Sequence, residues 1–346
     1  MTIKLTRVQF FLLMFIMQTA FVYVSFQNLV IENGKRDSTL QFLITALVFY
    51  LLLLFFERTY QYFILNPVTR FLYILYWFYY LHAFVVNTLY ILSSWVFPNT
   101  PNAVLVFLLL SVCYYASVSR AETAVNIGVV MIPMLVIFFL FLFLSIPDLE
   151  VTNLFPLMQE PVDRWIKGIL FSTNAFSGVE VYLILRKYVM QSETINRRIL
   201  LIYASFLTAF YMVSLLFTIM YFAIEEINII SEPILYILNS QEVTFVKRLD
   251  IFFIYIWVSW TIIGIVNHVL VIRLVYFQQK RKYEKFQQLV FFTVMGISAC
   301  FFVNITMQQI FKHSLLYINL VFAIVLPIII ISVNKLRGRS QFDSSK

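Results

Sequence analysis

The chain reads as long apolar stretches separated by short polar ones. Stretches near 8–31, 38–56, 71–97, 102–118, 124–145, 166–185, 199–223, 249–277, 286–304 and 314–334 are mostly apolar over about the 20 residues a helix needs to cross a hydrocarbon core. They are continuously apolar rather than alternating, which excludes membrane-spanning strands. The pattern predicts an all-α polytopic membrane protein of about ten transmembrane helices, folded as one integral domain over residues 1–346. The first stretch follows Lys4 and Arg7 but is too long for a signal-peptide core and offers no small-residue cleavage site. It reads as a retained span.

Charge orients this pattern. The chain has 25 Lys and Arg residues against 17 Asp and Glu, a formal net charge of +8. With the N-terminus in the cytoplasm, only Lys35, Arg36, Arg164, Lys167, Lys247, Arg248 and Lys312 fall outside. The remaining basic residues fall inside, including Arg120, Lys280, Arg281, Lys282 and Lys346. This bias predicts cytoplasmic termini and an even number of spans. It also gives the excess positive charge a topological role, so no nucleic-acid partner is implied. With 62% hydrophobic and 12% charged residues, a soluble enzyme is excluded, and the partner implied first is the lipid bilayer. Two outer segments are long and acidic, 146–165 and 224–248 (the latter including Glu242). In the second, Glu232-Pro233 opens a short helix with Pro in its first turn.

Polar groups inside spans mark candidate chemistry, because each is costly in hydrocarbon. The sixth span carries Ser172, Thr173, Asn174, Ser177, Gly178 and Glu180. Ser, Thr and Asn compete for backbone hydrogen bonds and Gly weakens a helix, so the pattern predicts a broken, ligand-facing helix. Small-residue helix packing is the alternative. Glu180, six residues from Arg186, reads either as a site carboxylate or as a structural ion pair. Gln18 and Thr19 lie at mid-depth in the first span, which runs opposite to the sixth. Spans 1–5 and 6–10 then form a 5+5 inverted-repeat permease fold with helices 1 and 6 broken. The first span lacks Gly and Pro, and Gln18 could equally bond a neighbouring helix. His82, Asn87, Trp257 and Trp260 complete the candidate ligand-binding set, against a reading in which they pack. Asp250 beside Arg248 reads as an interfacial ion pair. Cys113, Cys300 and the three histidines are scattered, and no catalytic, metal or cofactor motif occurs.

Ile132-Pro133-Met134-Leu135, Ser145-Ile146-Pro147-Asp148-Leu149 and Asn153-Leu154-Phe155-Pro156-Leu157 resemble the B subunits of spore germinant receptors, in the amino acid–polyamine–cation permease superfamily. Phe176-Ser177-Gly178-Val179-Glu180, Arg248-Leu249-Asp250 with Trp257, Leu5-Thr6-Arg7-Val8-Gln9-Phe10, Pro98-Asn99-Thr100-Pro101 and Arg120-Ala121-Glu122 match in the same order. The resemblance covers essentially the whole chain. It implies a multi-pass protein of the inner spore membrane, in a receptor with an A subunit and a C-subunit lipoprotein. It also implies a small nutrient ligand, such as an amino acid, held between spans 1, 3, 6 and 8 to trigger germination. The first span departs from the family pattern, with bulky Gln18-Thr19-Ala20-Phe21-Val22-Tyr23 where members carry small residues. So does the third, with Val86-Asn87-Thr88-Leu89-Tyr90 where members often carry charges. A proton- or cation-coupled amino-acid transporter is the competing function, motivated by the inverted halves and Glu180.

Overall fold

The computed structural model describes residues 4–119, 121–190, 193–241, 247–276 and 284–339. Arg120, Glu242, Lys280, Arg281, Lys282 and Lys346 lie outside the described residues. The architecture is all-helical, with no strand among the described residues. The helices are α1 (Arg7–Thr19), α2 (Phe26–Gly34), α3 (Ser38–Thr59), α4 (Pro67–Trp95), α5 (Asn102–Val118), α6 (Ala121–Phe143), α7 (Val162–Ser172), α8 (Val181–Leu185), α9 (Arg197–Tyr221), α10 (Ile224–Ile227), α11 (Pro233–Ser240), α12 (Leu249–Tyr276), α13 (Glu284–Phe302), α14 (Ile305–Asn319) and α15 (Leu326–Leu336). A π-helical turn, Leu320–Val325, joins α14 to α15. Eight helical runs among the described residues are long and apolar enough to cross a membrane, and Arg7–Thr19 and Asn102–Val118 are shorter apolar helices. Large apolar side chains such as Phe107, Val130 and Phe301 point outward, as they do when the solvent is lipid. The chain is an integral membrane protein.

Helix starts follow local chemistry. Thr6 and Gln9 form a capping box on α1, the Gln9 amide N–H donating to Thr6 Oγ1 at 3.2 Å and the Thr6 N–H to Gln9 Oε1 at 3.0 Å. Asn66, Asn196 and Asn304 each accept a backbone N–H three residues on, capping α4, α9 and α14.

Two helical runs are interrupted. Residues 20–25 form non-helical turns between α1 and α2. The second run passes from α7 through a 3₁₀ turn (Thr173–Phe176) and the turn 177–180 into α8. The helices α2 and α7 approach closely: a Cβ at Gly168 would stand 1.7 Å from Gln41 Oε1 and 3.1 Å from the Gly34 Cα. A Cβ at Gly34 would also meet Gln41 Oε1, at 2.0 Å, so both glycines make room for the Gln41 side chain.

Each end of the bundle is tied. At the first face, the extended residue Leu5 pairs with the chain after α8, its N–H donating to Tyr188 O at 2.9 Å and its carbonyl accepting from Met190 N at 3.0 Å. Nearby, Arg186 grips Glu57 with two hydrogen bonds, at 2.8 and 2.9 Å, while Tyr182 Oη donates to the same carboxylate at 2.7 Å. At the second face, the fully buried Asp37 carboxylate accepts from the backbone N–H groups of Met158 and Glu160 and from Trp165 Nε1. This clamps the Pro-rich segment 149–161 onto the start of α3. The Glu232-Pro233 start is indeed a short helix, α11, with Ile234, Leu235, Ile237 and Leu238 buried. Arg248 and Asp250 form the expected ion pair at 2.6 Å.

Candidate functional site

The two interruptions face each other through Gln18. Its Nε2 donates to the Phe176 carbonyl at 3.3 Å, a group released from helical pairing by the break. Tyr203 Oη on α9 donates to Gln18 Oε1, and Tyr211 Oη, two turns further along α9, donates to the Gln18 carbonyl at 2.7 Å. Beyond Gln18 the chain leaves the helix, and side chains of α12 take its freed groups. Trp257 Nε1 and Thr261 Oγ1 both donate to the Ala20 carbonyl, at 3.0 and 3.1 Å. Trp260 Nε1 donates to Thr19 Oγ1 at 3.0 Å, and Thr19 Oγ1 donates to Phe15 O at 2.7 Å. Non-helical backbone is tolerated at membrane depth only when buried in protein and satisfied in this way.

The second break rests on glycine. Ser177 is extended and Gly178 has φ +84°, a conformation that side-chain-bearing residues rarely adopt. A Cβ at Gly178 would meet nothing within 4 Å, so substitution costs backbone strain alone. Gly178→Val is therefore expected to destabilise the protein by about 1–2 kcal/mol. Gly178→Asn should cost less, because Asn tolerates positive φ. Thermal unfolding of both variants in detergent checks the order, and equal losses would refute the backbone explanation.

Ser177 Oγ accepts from Asn319 Nδ2 at 2.8 Å, and Asn319 Oδ1 accepts from Tyr76 Oη at 3.1 Å. Glu180 is buried, and one of its oxygens accepts from Trp77 Nε1 at 3.1 Å. It makes no pair with Arg186, which is committed to Glu57. Ser172 and Thr173 turn back to their own helix, donating to Gly168 O at 2.7 Å and Leu170 O at 2.6 Å. Phe21 projects from the first break and stacks on Phe84 at 4.3 Å, with Tyr80 and His268 at 5.8 and 5.2 Å completing an aromatic cage. Buried around these breaks, Asn174 Nδ2, Glu180 Oε2, Tyr80 Oη and His268 Nε2 have no hydrogen-bond partner. Such atoms cost about 1–3 kcal/mol each, so four in one core call for a reason beyond packing.

The space here is small. A cavity of about 40 Å³ borders Phe176, Ser177 and Asn319, and one of about 30 Å³ borders Thr19, Trp257 and Trp260. Each has room for no more than a few waters. Gln18 bridges the two breaks.

Residues 4–310 match the family model described as Spore germination protein. The chain belongs to the spore germination protein family. It is also similar to Spore germination protein GerQB of Bacillus cereus, with 23% identity over 185 residues, 51% of this chain and 50% of that protein. The match thus spans about half the length of this relative. The family is of membrane permease type rather than an enzyme family.

Among the sequence-predicted positions, the structure brings together Gln18, Thr19, Asn174, Ser177, Gly178, Glu180, Trp257 and Trp260 at the breaks of this family member. Ser172 and Thr173 flank them. His82 and Asn87 lie elsewhere. His82 packs against Phe302 and Phe311, with centroids at 5.7 and 5.4 Å. Its Nε2 has no hydrogen-bond partner. Asn87 Oδ1 accepts from Gln308 Nε2 at 2.7 Å, toward the second face. Sequence reasoning did not find Tyr76, Trp77, Tyr203, Tyr211 or Asn319. Tyr203 and Tyr211 are eight residues apart and share a helix face, a signal available in the sequence. Asn319, a lone amide in an apolar run, was another.

Proposed function

We propose that this chain is the nutrient-sensing transmembrane subunit of a spore germinant receptor, binding a small molecule such as an amino acid between its two helix breaks to trigger germination. The observation that carries the reading is the Gln18–Phe176 contact between the two interruptions, set in a buried core that retains unpartnered polar atoms. Freed backbone groups and helix ends at such breaks are suited to a ligand's carboxylate and ammonium. In this reading the bundle crosses the membrane ten times. The run α1–α2 and the run α7–α8 are the interrupted crossings, and they begin two inverted halves. Both termini are cytoplasmic, the membrane is the inner spore membrane, and the partners are an A subunit and a C-subunit lipoprotein.

Deleting the gene in a sporulating host and scoring germination on a nutrient panel tests the reading. Loss of the response to at least one nutrient is expected. Normal germination on every nutrient, in a strain without paralogues, would overturn it. The buried Glu180, with one oxygen unpartnered, favours a second reading as a proton- or cation-coupled transporter. Uptake of labelled amino acids by proteoliposomes separates the two, since a pure sensor accumulates none.

A further inference from the structure

A second polar cavity lies apart from the breaks. It has a volume of about 270 Å³ and sits between the end of α2, residues 228–231 and α14. Glu32 stands exposed at its rim, and Gln308 and Lys312 line its wall. The cavity is built rather than left over. Asn28 Nδ2 donates to the carbonyls of Ile227 and Ile230, at 2.8 and 2.6 Å, fixing one wall to the other. Gln308 Nε2 donates to Asn87 Oδ1 at 2.7 Å and to Glu232 Oε1 at 3.1 Å.

The charges are arranged unusually. The Glu232 side chain is only 4% exposed, and the Lys312 ammonium stands 3.6 Å from the same oxygen that accepts from Gln308. That distance allows attraction but is beyond a good hydrogen bond. Lys312 carries three donors, and its side chain is 12% exposed, so its ammonium is largely removed from bulk water. A mostly desolvated cation in the wall, paired on one side with Glu232, and the Glu32 carboxylate at the rim present the charge pattern that complements a small zwitterion. The volume lies just below the usual ligand range of roughly 300–1,000 Å³, which suits a small molecule and excludes a peptide.

We propose that this cavity is a second binding site for a free zwitterionic amino acid, with Lys312 taking the carboxylate and Glu32 the ammonium. The proposal rests on the amino-acid reading of the core site. The two sites share helices. Asn319, which holds Ser177 at the break, follows Lys312 by seven residues on α14, about two turns. Asn87, held by Gln308, lies on α4 with Trp77 and Tyr80.

Equilibrium binding of a radiolabelled panel of the twenty amino acids tests this, using the full chain in phosphatidylglycerol nanodiscs. The expected result is two bound equivalents of at least one amino acid. Lys312→Met should remove one, Lys312→Arg should keep both, and Glu32→Gln should weaken the second site about tenfold. Glu32 is exposed, so its variant decides the matter if Lys312→Met does not fold. One equivalent in the wild type, untouched by Glu32→Gln and lost in Asn174→Leu, would overturn the second site and leave the core reading standing. No binding of any amino acid would overturn both. Loss of the second equivalent in phosphatidylethanolamine discs would assign the cavity to a lipid headgroup and overturn the free-amino-acid assignment.

Discussion

Replacing Gln18 by methionine is expected to lower the melting temperature by about 3–8 °C and to abolish the germination response. Methionine keeps the volume, so no large cavity opens, and the loss isolates the polar role. The side chain of Gln18 joins three elements: its amide N–H donates to Phe176 O across the breaks and its oxygen accepts from Tyr203 on α9. Without it, a backbone carbonyl and a hydroxyl remain buried and unpaired. Each costs about 1–3 kcal/mol, and at about 2 cal/mol/K per residue the unfolding entropy of a chain this long converts the pair into that shift. Differential scanning of the detergent-solubilised protein reads the first effect and spore germination the second. A variant as stable and as responsive as wild type would mean that the contact between the breaks is incidental.

Removing Glu57, which ties α3 to the end of the α7–α8 run through Arg186, is expected to have the next largest effect. Arg186 is held to Glu57 by two hydrogen bonds, Tyr182 donates to the same carboxylate, and the guanidinium lies 4.8 Å from the Tyr60 ring centroid. The side chains are 13% and 18% exposed, so solvent repairs little when one partner is lost. Glu57→Ala should cost about 3 kcal/mol, near the low end for a buried pair because some water reaches it, and lower the melting temperature by about 4 °C. Glu57→Gln combined with Arg186→Met should recover at least half of the loss, since the penalty comes from an unpaired charge rather than from a missing bond. A double variant worse than Glu57→Ala would show that the bidentate geometry itself carries the stability.

The break in α7–α8 was legible because Ser172-Thr173-Asn174 and Ser177-Gly178 are residues that leave helices for local reasons, visible in any single sequence. The break after Thr19 was only weakly legible. It contains no Gly or Pro and is held open from outside, by Trp257 and Thr261 reaching the Ala20 carbonyl from a helix some 240 positions away. A contact of that range leaves no trace in local composition. The misplaced pair has a geometric cause. His82 is five residues from Trp77 on α4, which turns it about 140° away around the helix, so a polar residue at the right depth faces the wrong side. Tyr203 and Tyr211 escaped notice because tyrosine in a span ordinarily marks the membrane interface rather than its centre. The bulk of the first span is explained in part by Gln18. A long amide can bridge the gap between the breaks, where a small residue would leave the Phe176 carbonyl and the Tyr203 hydroxyl unpaired.

We propose that the core between the breaks is where a germinant is read. The most direct measurement is the nutrient dose–response of spores carrying Asn174→Leu, with the amount of the protein in the membrane measured in parallel. Asn174 Nδ2 is buried beside the break and makes no hydrogen bond, so leucine removes a free donor without breaking a contact of that amide nitrogen. Normal protein level and a half-maximal nutrient concentration raised at least tenfold are expected, the equivalent of about 1.4 kcal/mol of lost binding. An unchanged dose–response at normal protein level would contradict it.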